Sequence, residues 1–171
     1  KDCLIFLNGM FAFAIYDKLE SKLILGRDRL GMKPLFYTFK ESTFYFSSET
    51  QALLRCDIIN SGNIDFNSIN DYLSFRQPLS SNVFFKDVVS VEPGQIVYID
   101  KNFNLNKEFY WKLPLLNNKI DNNENFYVSM VSDQLERSVK EHLTSDVEVG
   151  VLLSGGLDSS LITGLAREHL D

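Results

Sequence analysis

With 171 residues, 44% hydrophobic and 13% aromatic, the chain can bury the core of one full domain or of parts of two. Its 17 basic against 23 acidic residues leave a formal charge of −6, and no basic cluster exceeds a pair, which argues against nucleic acid as a partner. No uninterrupted apolar run approaches a membrane span, so no membrane partner is expected either.

Taken in chain order, the stretch Leu4 to Asp17 (LIFLNGMFAFAIYD) alternates from Met10 onward, with Met10, Ala12 and Ala14 opposite Phe11, Phe13 and Ile15. Small residues facing large ones suit a strand between two packed layers. Asp17 to Ser21 reads as a turn, and Lys22 to Gly26 as the return strand of a hairpin. Arg27 to Lys33 (RDRLGMK) is a charged loop closed by Pro34, in which Arg27 and Asp28 are expected to form a structural ion pair. Leu35 to Phe39 and Thr43 to Ser47 predict a second hairpin around Lys40-Glu41-Ser42, and Glu49 to Leu54 one helical turn.

Asp65 can cap a helix running to about Phe75, with Ile69, Tyr72 and Leu73 on one face. Val88 to Val91, Pro93-Gly94 and Gln95 to Asp100 read as strand, turn, strand, with a last short strand expected at Phe109 to Lys112. Pro114 to Asn125 (PLLNNKIDNNEN) is polar and aperiodic, the expected linker. Phe126 to Leu143 then predicts an amphipathic helix, since Tyr127, Val131, Leu135, Val139 and Leu143 recur at every fourth position as a core-facing stripe. His142 and His169 lie in amphipathic helical segments and read as solvated helix-face residues. Cys3 and Cys56 are far apart with no partner at metal spacing, so they read as buried or idle thiols in a reducing compartment, the cytoplasm.

The decisive stretch is Val147 to Ser160, VEVGVLLSGGLDSS. Its first half is short and apolar at nearly every position, as in a strand buried on both faces of a parallel sheet. Ser154, Gly155 and Gly156 follow, and then Leu161, Ile162, Leu165, Ala166 and Leu170 at helical spacing, with the helix expected to begin near Asp158 to Ser160. Read alone, a Gly-Gly pair before a helix is a tight turn, and Asp158 a capping residue. With a strand before it, serines around it and a helix after it, the stretch reads as a phosphate cradle. The glycines bring backbone N–H groups close to a ligand, and the helix start adds unpaired amides and a positive dipole end. The hydroxyls of Ser154, Ser159 and Ser160 add donors. A carboxylate at Asp158 would repel an anion unless a cation lay between them, which Mg²⁺ does by preferring carboxylate and phosphate oxygens. Neither G-x-x-x-x-G-K-[ST] nor G-x-G-x-x-G occurs, which disfavours a Walker-type NTPase and a dinucleotide fold.

The heptapeptide SGGLDSS closely resembles the pyrophosphate loop of ATP pyrophosphatases. Three earlier stretches, LNGMFAFAIYD, GRDRLGMKPLFY and FSSETQALL, resemble the later part of the glutaminase domain of glutamine-hydrolysing asparagine synthetases. DYLSFRQPLSSNVFFKDVVSVEPGQIVYID is similar to that family's segment joining its two domains. The resemblance implies an α+β region followed by an α/β one. The first, residues 1–113, is the later part of an N-terminal-nucleophile αββα sandwich with antiparallel sheets. A linker spans 114–125, and 126–171 opens a parallel-sheet ATP-pyrophosphatase domain as helix–strand–loop–helix.

The resemblance also implies a two-site ligase that amidates aspartate through β-aspartyl-AMP, using ATP, Mg²⁺ and ammonia released from glutamine. Carried over by position, Ser154, Gly155, Gly156, Ser159 and Ser160 become pyrophosphate contacts, Asp158 the Mg²⁺ ligand, and Leu152 a backbone contact to adenine. Met10, Met32 and Leu152 take positions lining an ammonia tunnel, although Met10 and Met32 read by themselves are core residues. The chain reads as an internal piece, with no catalytic residue of its own: the nucleophilic cysteine and glutamine-gripping residues are expected upstream of Lys1, the aspartate pocket downstream of Asp171. A homodimer is the assembly the resemblance suggests. Two other readings stand beside it: a related amidotransferase or β-lactam synthetase-like enzyme with another acceptor, and a non-catalytic nucleotide-binding protein.

Overall fold

The computed structural model describes residues 2–79, 81–114 and 123–170. It divides into two compact units, Lys1–Pro114 and Leu115–Asp171. The expected linker falls largely outside the described residues.

The first unit is built from two antiparallel sheets. A short 3-10 helix, Asp2–Phe6, precedes β1 (Ala12–Asp17), which pairs with β2 (Lys22–Arg27) in the register Ala12 opposite Arg27 to Asp17 opposite Lys22. Asp17 closes this hairpin because its carboxylate accepts the N–H groups of Leu19 at 2.8 Å and Glu20 at 3.1 Å. The second hairpin joins β3 (Phe36–Lys40) to β4 (Thr43–Ser47). A short helix, α1 (Thr50–Arg55), packs on β4, and α2 (Phe66–Phe75) follows. Asp65 caps α2 as its sequence suggests, accepting Asn67 N–H at 3.2 Å.

The apolar face expected on α2 is not buried. Leu73 and Phe66 face solvent, and it is Ser68, bonded to Asp65 at 2.7 Å, that turns inward. Tyr72 alone of the large residues has an aromatic partner, the edge of Phe84 at 5.4 Å.

β5 (Val88–Ser90) and β6 (Gln95–Ile99) are present where the sequence suggests strands, but they do not pair with each other. β5 adds to β3, and β6 adds to β2, giving one sheet in the order β1-β2-β6-β7 and another in the order β4-β3-β5. Residues 91–94 thus cross from one sheet to the other. Gly94 makes the crossing feasible: its φ is +68°, and a Cβ there would lie 2.5 Å from the backbone oxygen of Trp111. The last strand, β7, is Leu105–Phe109 rather than residues 109–112. Asp100 sets this register by accepting Asn102 N–H at 2.8 Å and Asn104 N–H at 2.9 Å, which turns the chain earlier.

The two sheets share a core of Leu25, Leu35, Tyr37, Val91, Val97 and Ile99. The opposite face of the smaller sheet is covered by Leu53, Ile59, Val83 and Val88 around α1. Strand alternation places Tyr37 and Phe44 in the first cluster, Phe36 and Tyr45 in the second. The described layers are therefore helix, sheet, sheet. β1 differs from expectation: as an edge strand it leaves Ile15 and Tyr16 exposed, not sandwiched.

In the second unit, α3 (Glu124–His142) is capped by Asn123, whose side chain accepts Phe126 N–H at 2.9 Å. It packs on α4 (Leu157–Glu168) through buried Val139 and Ala166. Tyr127 and Val131, expected in the buried stripe, are exposed. His169 is drawn into the helix pair instead of being solvated, with Nε2 3.5 Å from Glu136 Oε1. The strand expected at 147–153 does not form, because the described residues offer it no ladder partner, and the parallel sheet is correspondingly absent. Among the described residues, no helix is long and apolar enough to cross a membrane.

Candidate functional site

Residues 154–156 bend the chain into α4. Gly155 has φ +80°, while a Cβ there would meet nothing within 4 Å, so torsion rather than crowding requires glycine. Ser154 Oγ lies 2.9 Å from Ser159 Oγ, and Ser159 Oγ also donates to Gly156 O at 3.2 Å. These bonds draw both hydroxyls across the first turn of α4. Gly156 is the N-cap and offers no capping side chain, while Ser160 N–H closes the first helical bond on Gly156 O at 3.1 Å. The Gly156 N–H donates to Ser154 Oγ at 3.4 Å, so the amides of Leu157, Asp158 and Ser159 are the helix's orphan donors, at its positive end.

Asp158 sits in that first turn and is exposed. Among the described residues no three His, Cys, Asp or Glu side chains converge as a metal cluster. A single carboxylate beside orphan amides and hydroxyls fits a cation that arrives already carried by phosphate oxygens, rather than one caged by protein. Leu152, two residues before Ser154, is 95% exposed, and its neighbours Gly150 and Val151 border an apolar groove of about 510 Å³ with Leu135, Val139 and Ile162. The geometry thus gathers Ser154, Gly155, Gly156, Asp158, Ser159 and Ser160 on one exposed turn, with Leu152 just before it.

The other two sequence-selected residues lie in the first unit. Met10 is 47% exposed and Met32 58%, so neither is a core residue. A residue between them in sequence organises both neighbourhoods. Asp28, 1% exposed, accepts four backbone N–H groups: Phe11 at 3.3 Å, Leu30 at 3.1 Å, Met32 at 2.9 Å and Lys33 at 3.0 Å. Burial acts to raise its pKa, but the donors of Lys33, Met32, Phe11 and Leu30 outweigh burial and hold it below the usual carboxylate range.

The charges of Arg27 and Asp28 interact, but the close partners of each lie elsewhere: Asp28 bonds to backbone, and Arg27 to backbone and to Ser90 Oγ at 3.0 Å. Arg27 donates to Lys33 O at 2.8 Å, Gly31 O at 2.7 Å and Val91 O at 2.7 Å, tying the loop to the crossing between sheets. Arg29 donates to Ile5 O and Leu7 O, both at 2.7 Å. Backbone partners leave no trace in a sequence; the available signal was only the density of charge, RDR, in a loop closed by Gly31 and Pro34.

Residues 1–111 match the glutamine amidotransferase domain family, and residues 130–171 match asparagine synthase. The chain belongs to the glutamine amidotransferase domain family. It is 34% identical to asparagine synthetase (glutamine-hydrolyzing) 3 of Bacillus subtilis over all of this chain and 27% of that protein. It is 33% identical to asparagine synthetase B (glutamine-hydrolyzing) of Escherichia coli over 95% of this chain and 24% of that protein. The chain thus spans about a quarter of the length of these relatives. Among solved structures, glutamine phosphoribosylpyrophosphate amidotransferase from B. subtilis aligns at TM-score 0.41 and 17% identity over 98% of this chain and 32% of that one, too loose a fit to build on.

Proposed function

We propose that this chain is part of a glutamine-dependent asparagine synthetase, with residues 1–113 in its glutaminase domain, 114–125 as linker and 126–171 opening the ATP-pyrophosphatase domain. The reaction needs ATP because a carboxylate is a poor acyl donor to ammonia. Transfer of AMP to the aspartate side-chain carboxylate releases pyrophosphate and leaves a good leaving group, which ammonia from glutamine then displaces as the amide forms.

In this reading Ser154, Gly155, Gly156, Ser159 and Ser160 hold the departing pyrophosphate through hydroxyls and amides, where negative charge builds. The backbone at Leu152 meets the adenine. Asp158 would hold Mg²⁺, whose bound chemistry is to neutralise phosphate charge. Met10, Met32 and Leu152 line a dry route that keeps ammonia uncharged on its way between sites. In the same reading the protein works in the cytoplasm as a homodimer.

The observation that carries the reading is the glycine turn at φ +80° opening directly onto an α-helix without a capping side chain, with two serine hydroxyls folded across it. The test is aspartate-dependent exchange between ATP and pyrophosphate by the full-length protein. Exchange with aspartate supports the proposal. Exchange only with another carboxylic acid would indicate an amidotransferase or β-lactam synthetase-like enzyme with a different acceptor, and none with any acid a non-catalytic nucleotide-binding protein.

A further inference from the structure

We infer that Asp28 and Arg29 are positioning residues that hold the rim of the ammonia route in one shape, an inference that rests on the tunnel role proposed above for Met10 and Met32. One buried carboxylate, that of Asp28, reaches four backbone groups. Asp28 Oδ1 accepts the N–H groups of Leu30 and Met32, while Oδ2 accepts those of Phe11 and Lys33. One oxygen therefore grips the residue after Met10, and the other grips Met32 itself.

The backbone of the same residue completes the junction. Asp28 N–H donates to Phe11 O at 2.9 Å, and Gly94 N–H donates to Asp28 O at 2.9 Å. Arg29 then draws in the preceding segment through the carbonyls of Ile5 and Leu7. Three pieces of chain far apart in sequence are thus tied at adjacent residues: 5–11, 28–33 and the crossing at Gly94.

What these ties hold is apolar and exposed. Leu7, Met10, Leu30 and Met32 all face outward, each next to or at a gripped backbone group. Exposed side chains as flexible as methionine would ordinarily sit on a compliant loop. Here the backbone beneath them is fixed by charge-assisted bonds to the buried Asp28 anion and, at Leu7, to the Arg29 guanidinium, stronger than bonds between neutral groups. A route for a small neutral molecule requires such a combination, because a wall that opens admits water, and ammonia that meets water is protonated and lost.

The test compares two variants of the full-length protein with wild type, measuring asparagine formed per glutamate released. In Asp28→Asn the amide cannot accept on both sides, and in Arg29→Met the guanidinium bonds vanish while the stem remains. The expected result is glutamine hydrolysis near the wild-type rate and a fall of about fivefold or more in asparagine per glutamate. Asparagine synthesis from added ammonium chloride should stay at the wild-type rate. Should Asp28→Asn not fold, Arg29→Met decides. An unchanged ratio in the folded variants overturns the inference, and so does equal loss with glutamine and with ammonium, which would mark a merely structural role. A wild type that makes no asparagine from either nitrogen source overturns the functional reading itself, and this inference with it.

Discussion

The loop at 27–33 and the turn at 154–160 are both short, charged and glycine-containing, yet they are held in opposite ways. In the first, Asp28 is buried and its bonds reach residues on either side of a sheet junction. In the second, every bond found runs between residues no more than five apart, and the side chains face solvent. A loop held by distant partners is part of the fold and falls when it is cut. A turn held only by itself keeps its donors free, and altering it should change binding more than folding.

The largest expected effect tests the first half of this contrast. Asp28→Ala leaves four backbone donors without their acceptor in a buried place, and should lower stability by about 3–5 kcal/mol in urea unfolding. Asp158→Ala tests the second half. It should cut aspartate-dependent ATP–pyrophosphate exchange by about 10²-fold or more, with glutamine hydrolysis and the urea midpoint close to wild type. Substantial exchange by that variant would remove the metal role from Asp158.

Two glycines sharpen the comparison. Gly94→Ala adds a clash with Trp111 O to an unfavourable φ, whereas Gly155→Ala meets the unfavourable φ alone. Gly155→Ala should therefore cost about 1–2 kcal/mol locally and Gly94→Ala more, as read from their urea midpoints. The smallest effect is that of pH. The folded pKa of Asp28 lies below its unfolded value, about 3.9, so its contribution is complete above that range and is lost as pH falls through the depressed value. Asp28→Asn should accordingly flatten the acid side of the stability profile; a slope equal to wild type would show that other carboxylates set it.

The sequence was most legible where structure is local. Alternation and a polar turn mark both hairpins, Asp65 marks the start of α2, and the fourfold spacing of Tyr127 to Leu143 marks α3 to within two residues. It was least legible where a distant partner decides. β5 and β6 read as strand, turn, strand, and nothing local reveals that each pairs with a neighbour in a different sheet. Residues 147–153 have the composition of a buried strand, but a strand needs a ladder, and composition alone does not supply one. The turn at 154–160 was legible as glycines and hydroxyls before a helix. Asp28 was not, because four backbone amides have no letter of their own.

The crossing at residues 91–94 has a consequence for how the protein is made. β2 cannot receive β6 until the whole of the smaller sheet, with α1 and α2, has left the ribosome. Until then the first hairpin carries an unzipped rim of backbone amides and carbonyls, open to any neighbouring chain. A slow step in translation between Phe36 and Val91 would lengthen that exposure, and nascent-chain aggregation should rise with it.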